Sequence, residues 1–317
     1  MMRGLLKSRP PVTQLLLLIS LALVSFFMLG LLGTFLLAYL TGTPVTQLAD
    51  ISKWNLKDPG TITFIRGMQV IQFVSLFLIP VLTCAWLFST NTKTYLGLKR
   101  PRNYGYYVAG IGVMLLAIPM VNWLGELNRS VEFPGAIGDW MNAKEEEAAR
   151  TIEALLSQRS IKDLLLNLVF IAVLAAVGEE LLFRGVLQRL LTKMFRNPII
   201  AVILTAFLFS AMHMQFYGFL PRFALGIVLG LMYWYSGSLW TAIIAHFVYD
   251  ATLIILAYMN PELITSERAV ELKYLALSGV ISFGLVVMIV AWMKKKSTAV
   301  FPDAYAEDYI PVKDHPF

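Results

Sequence analysis

Two adjacent carboxylates, Glu179 and Glu180, stand in the stretch Val177-Gly178-Glu179-Glu180-Leu181-Leu182-Phe183-Arg184, directly behind an unbroken apolar run from Leu168 to Val177. Ionised carboxylates in hydrocarbon are costly even on lenient scales, and packing alone does not keep two side by side there. The chain has only three histidines, His213, His246 and His315, and the first two lie in later apolar segments. Asp250 follows His246 by four residues. Five ionisable groups of acid–base type can therefore meet at membrane depth, and the chemistry that combination suits is hydrolysis.

The spacings say which groups share a face. On a helix, Glu180 and Arg184 are i and i+4, so the guanidinium can hold the Glu180 carboxylate ionised. Glu179 lies about 100° further round, free to meet a different partner. Two neighbouring carboxylates in a low-dielectric site hold charge unequally, which is the condition a general base working near neutral pH requires. A plain structural alternative is a Glu–Arg clamp at a helix end. Phe209 and His213 are again i and i+4, so the ring can pack beside the imidazole and limit water. The alternative there is a core histidine bonded to a backbone carbonyl or to Ser210. His246 and Asp250 repeat the spacing; the aspartate can fix a tautomer, share a metal, or donate when protonated. A buried His–Asp tie between helices is the bland reading. No Ser or Cys has an evident base partner and there is no His-Glu-x-x-His, so the expected nucleophile is water, activated by a carboxylate or by a carboxylate and a metal.

These residues need helices to position them. The 317 residues are 58% apolar with mean hydropathy +0.69, and only 15% are charged, against about 25% in soluble domains. The fold class expected is all-α, a polytopic transmembrane helical bundle of about eight spanning helices. They fall roughly at 13–41, 64–89, 104–125, 162–186, 197–215, 219–236, 239–258 and 274–293, by the length a bilayer demands. Leu15–Leu40 is too long for a signal-peptide core and reads as a signal anchor. The expected organisation is N-terminal helices over 1–160, a core carrying the three segments over 161–296, and a flexible cytoplasmic tail over 297–317. Within the long connection from Asn128 to Ile161, Asp139–Gln158 reads as an acidic, Ala-rich helix that lies along the interface or caps the bundle. Gly226 and Gly230 form a Gly-x-x-x-Gly pair, which permits close helix approach. The single cysteine, Cys84, excludes a disulfide framework.

The net charge of +6 points to topology and lipid headgroups, with no nucleic-acid partner. Arg3, Lys7 and Arg9, then Lys93, Lys99, Arg100 and Arg102, then Arg189, Lys193 and Arg196, and finally Lys294-Lys295-Lys296 mark alternate connections. The intervening ones carry acids: Asp50 and Asp58; Glu132, Asp139, Glu145, Glu146 and Glu147; Glu262, Glu267 and Glu271. An even number of spans puts every basic segment on one side, so both termini are expected in the cytoplasm of a multi-pass protein of the cell membrane.

Glu179-Glu180-x-x-x-Arg184, Phe209-x-x-x-His213 and His246-x-x-x-Asp250, in this order, resemble the three motifs of the CPBP family, the CAAX prenyl protease 2 type of intramembrane endopeptidases, also called Abi or lysostaphin-resistance-like. The resemblance covers roughly residues 160–260, and the first motif, extended from Gly178 to Gly185, is its most specific part. It implies a helical bundle with a cavity open to the membrane. It implies that Glu179 activates water with Glu180 and Arg184 in support, that His213 positions water or the transition state, and that His246 and Asp250 stabilise the oxyanion or complete the site. The third motif often ends in Asn in the prenyl-protease branch, whereas this chain has Asp250, which must be protonated to donate, or else orients His246 or helps hold a metal. The family is habitually described as metalloproteases; Glu179, His213, His246 and Asp250 are donors that could bind zinc. The expected partner is a membrane-anchored or lipidated peptide within the lipid bilayer. A non-catalytic immunity or partner-binding protein and a proton-coupled transporter are the competing classes. Four intact buried polar groups argue against the first, and the lack of an internal repeat against the second.

Overall fold

The computed structural model describes residues 3–44, 54–55, 58–131, 133–260 and 272–299. Asp50, Glu132, Glu262, Glu267, Glu271, His315 and nearly all of the 297–317 tail lie outside the described residues. The described chain is helical throughout, in the order α1 (Pro11–Thr41), α2 (Pro59–Phe88), α3 (Gly105–Leu116), α4 (Ile118–Arg129), α5 (Gly135–Ser157), α6 (Ile161–Phe195), α7 (Pro198–Met212), α8 (Phe219–Ser236), α9 (Leu239–Met259) and α10 (Leu272–Lys296). The helix boundaries follow from local chemistry. Asp58 caps α2 by accepting from the Thr61 N–H at 2.8 Å, with Pro59 at the first helical position. Asn197 caps α7 through the Ile199 and Ile200 amides. Gly42 and Gly237 close α1 and α8 in the left-handed conformation, at φ 69° and 65°.

Six of these helices are long and apolar enough to cross a membrane, and α3 with α4, bent by 42°, makes a seventh span. The expected eighth, over 197–215, is a helix of 15 residues, about 22 Å long against the roughly 30 Å of a hydrocarbon core. Asn197-Pro198 starts it, and Met214 at φ 55° turns the chain straight after His213. α6 is longer than its apolar signal and runs 35 residues to Phe195. It contains two π-helical stretches, Leu168–Val173 and Leu181–Gln188, the second beginning directly after Glu180.

The core is formed where α6 to α9 meet, around Phe183, Val186, Leu229, Met232, Ala242 and Ala245. α7 packs along α8, α9 against α3, α10 against α4, and α1 against α2. Most large apolar side chains of α1 face outward, as in Leu16, Phe27, Leu32 and Leu36, so they suit a lipid surround. This is an integral multi-pass membrane protein.

Candidate functional site

The two glutamates serve different neighbourhoods. Glu180 points into the protein and is fully buried, as is Arg184. Its Oε1 accepts from Arg184 Nη1 at 2.7 Å and from His246 Nδ1 at 2.9 Å. Glu179, one position earlier and round the helix, keeps its side chain 16% exposed and faces a cavity of about 1150 Å³. Among the described residues nothing donates a hydrogen bond to Glu179. Its Oε1 stands 3.9 Å from His213 Nε2, and its Oε2 stands 3.9 Å from His246 Nε2. That spacing is beyond a direct hydrogen bond and within reach of a bridging water.

The imidazoles are fixed by their other nitrogens. His213 sits at the C-terminal cap of α7 and donates from Nδ1 to the Phe209 carbonyl oxygen at 2.7 Å. A carbonyl only accepts, so in the neutral ring Nε2 is left as an acceptor turned to Glu179. His246 donates from Nδ1 to Glu180, and Asp250 Oδ2 lies 3.4 Å from its Nε2. Glu180, not Asp250, therefore orients this ring through Nδ1, and both nitrogens of His246 face carboxylates. Phe209 fills the space between them. Its ring is edge-on to His213 and His246 at 5.0 and 6.2 Å, and it carries the Arg184 guanidinium 4.7 Å over its face.

The Gly-x-x-x-Gly pair of α8 is part of this arrangement. Arg184 Nη2 donates to the Gly226 carbonyl at 3.0 Å, and Gln188 Nε2 to the Gly230 carbonyl at 3.1 Å. A Cβ at Gly226 would come within 2.9 Å of Ala206 Cβ, and one at Gly230 within 2.8 Å of Gln188 Oε1. The glycines let α6 and α7 approach α8 closely enough for its carbonyls to hold the site's buried cation.

All six sequence-predicted residues, Glu179, Glu180, Arg184, His213, His246 and Asp250, thus meet around one centre. Glu179, His213, His246 and Asp250 line the cavity, while Glu180 and Arg184 stand behind it. The cavity wall draws on helices before the motif region as well, through Phe26, Gln72, Phe77 and Met114. The Asp139–Gln158 reading is met by α5, which covers the cavity with Lys144, Glu147, Thr151 and Leu155. α5 is tied down by the Tyr217 N–H to Glu145 (2.9 Å) and the Tyr217 hydroxyl to Asn142 (2.6 Å). Sequence reasoning missed Gln188 and Arg222. Arg222 is the sole charged residue in Phe219–Ser236, and a lone intramembrane cation is itself a signal of function. The donor types fit zinc, but the placement does not. No group of three His, Cys, Asp or Glu among the described residues converges closely enough to hold a metal ion, so no step below runs through one.

Carboxylates and imidazoles converging on a cavity inside a membrane bundle define the class of a membrane-embedded acid–base site. Residues 161–252 match the family described as type II CAAX prenyl endopeptidase, Rce1-like. The uncharacterized protein YpbD of Bacillus subtilis is 30% identical over 120 residues, which are 37% of this chain and 57% of that protein. The match therefore spans less than two thirds of that relative. No solved structure matches.

Proposed function

We propose that this protein is an intramembrane endopeptidase that hydrolyses a peptide bond in a membrane-anchored or lipidated substrate through water activated by Glu179. The observation that carries this reading is the division between the glutamates. Glu180 is taken up by Arg184 and His246, whereas Glu179 faces the cavity between two imidazole nitrogens.

Water held between Glu179 and the acceptor nitrogen of His213 gives one proton to Glu179 as its oxygen attacks the scissile carbonyl carbon. The carbonyl π pair moves onto oxygen, and the resulting oxyanion accepts from the Nε2–H of His246 as an imidazolium, the form in which both ring nitrogens donate, Nδ1 to Glu180 and Nε2 towards Asp250. Asp250 is the acceptor for that hydrogen before substrate arrives. When the C–N bond breaks, the leaving nitrogen takes the proton from Glu179, giving a carboxylic acid and an amine and restoring the site. Phe209 shields the imidazoles and the Glu180–Arg184 pair from bulk water.

The cavity supports the substrate class. Phe26, Leu76, Phe77 and Leu253 offer an apolar wall for an anchor, and Lys144, Glu147, Gln215 and Arg222 a polar one for peptide. The bundle ends support the orientation. The N-terminal segment bonds to the end of α2 (Gly4 to Trp86, 2.9 Å), Ser238 to the Lys99 carbonyl, and Arg102 to Thr298 (3.2 Å), which gathers basic segments at one end. We assign that end to the cytoplasm of a cell-membrane protein and α5 to the opposite face. The test is turnover in oxygen-18 water by purified protein in nanodiscs. One heavy oxygen should enter the new carboxyl group of a cleaved prenylated peptide, and an intact peptide would overturn the assignment.

A further inference from the structure

We propose that Gln69 and Gln72 of α2 form a subsite for the substrate backbone, pairing their carboxamides with the peptide bonds of an extended segment that enters the cavity. The proposal rests on the endopeptidase reading and adds a recognition element outside the three motif segments.

Extended chain inside a bilayer has no helix to satisfy its N–H and C=O groups, so the surrounding protein must supply the partners. α2 crosses the membrane with a strongly apolar sequence, yet it carries Gln69 and Gln72 near its midpoint. Residues three apart on a helix share a face, and Leu76, four further on, continues it; all three line the cavity. Gln69 is half-buried and Gln72 exposed. Among the described residues neither glutamine side chain makes a hydrogen bond. Ser75, the other polar side chain between Met68 and Leu82, donates to the Ile71 carbonyl at 2.6 Å. Amides held without partners at membrane depth are costly, and polar groups kept there mark function.

Their position suits that role. Gly178, directly before Glu179, lets α2 lie close against α6: a Cβ there would come within 2.8 Å of the Phe77 ring and 3.0 Å of the Phe73 ring. Earlier in α2, Ile65 packs under α5 with Ala154 and Leu155, whereas Leu76 and Phe77 belong to the apolar wall. The glutamines stand between the two, where an anchored peptide passes from its lipid to its polar part. A carboxamide donates and accepts without carrying charge, so it complements a peptide bond and leaves the charge around Glu179 unaltered. Side chains at this spacing start about 5–6 Å apart, and the groups on one edge of an extended strand recur every second residue, at roughly 6.8 Å. Two flexible side chains cover that difference, so the pair reads main chain and makes little demand on side-chain identity.

The test uses a fluorescent S-farnesyl peptide and analogues in which one backbone amide at a time is replaced by an ester, which removes a single N–H donor and keeps every side chain. Binding is read by anisotropy in nanodiscs with the Glu179→Gln protein, which should bind without cutting. One or two of the esters are expected to bind roughly 3- to 10-fold more weakly than the parent peptide. Gln69→Leu and Gln72→Leu, added to that background, should each weaken the parent peptide by a similar factor and abolish the penalty of one ester. No bond within the protein is lost in either variant, so the unfolding midpoint should not fall. The ester series itself needs no change at either glutamine and stands even if a variant fails to fold. Equal binding of every ester and the parent peptide, or ester penalties that persist with both glutamines replaced, would overturn the proposal. Wild-type protein that shows the expected ester pattern but never cuts the parent peptide would instead refute the endopeptidase reading and leave the subsite standing. Cleavage by the protein carrying both leucines at the wild-type kcat/KM would do the reverse.

Discussion

Arg184→Met tests whether the buried cation holds the site together. The side chain has no exposed surface, donates to Glu180 Oε1 at 2.7 Å and to the Gly226 carbonyl at 3.0 Å, and lies over the Phe209 ring. Methionine keeps most of the stem volume and removes every donor. Breaking a buried ion pair from one side costs about 3–5 kcal/mol because the remaining charge is uncompensated. His246 still donates to Glu180, which favours the lower half of that range. The orphaned Gly226 carbonyl adds about 1 kcal/mol. The sum is about 4 kcal/mol, or roughly a thousandfold in the folding equilibrium at 1.4 kcal/mol per decade. Reversible unfolding in mixed micelles titrated with dodecyl sulfate measures it. Glu180 Oε2 and Arg184 Nε have no partner among the described residues, so the pair is only partly satisfied. Arg184→Met with Glu180→Met should therefore recover at least half of the loss while remaining inactive. A single variant within about 1 kcal/mol of wild type, or a double variant less stable than the single, would refute the reasoning.

Three further outcomes follow from the geometry. Gly230→Ala should lower stability by roughly 1–3 kcal/mol through the clash with Gln188 and Val202, whereas Gly112→Ala, with nothing within 4 Å of the added methyl, should be neutral in the same assay. Asp250→Asn should slow turnover roughly 10- to 100-fold by loosening His246 with no change in metal content; loss of stoichiometric zinc together with activity, measured by mass spectrometry, would show a metal site instead. Glu146→Cys in a Cys84→Ala background should be labelled from outside intact cells, and labelling only after the cytoplasmic face is opened would invert the topology.

Much of this site was legible because i, i+4 spacings translate directly into contacts on a helix. Glu180–Arg184, Phe209–His213 and His246–Asp250 all meet as that periodicity requires. The opposed facing of Glu179 and Glu180 was legible for the same reason. Cross-helix partners were not. That His246 would turn Nδ1 to Glu180 depends on how α6 and α9 pack, which no local spacing encodes. The end of α6 was hidden because charge marked the expected exit at 186. The helix continues because Arg184 is paired internally and Arg189 stacks 4.6 Å over the Tyr95 ring. The expected span 197–215 overruns α7 because apolar residues continue past His213, while the left-handed Met214 that follows the helix is not a residue type that announces a turn. Arg222 carried a signal in its isolation, but no partner in sequence gave it a role.

The central claim is that Glu179 is the base, and the most direct measurement compares cleavage of a membrane-anchored peptide by wild-type and Glu179→Gln protein, both purified in nanodiscs. Glutamine keeps the size and removes the basic carboxylate, and because Glu179 forms no hydrogen bond with any described residue, folding should be unaffected. The account predicts a fall in turnover of roughly 100-fold or more at an unchanged unfolding midpoint. Cleavage by the variant at near wild-type rate would contradict it.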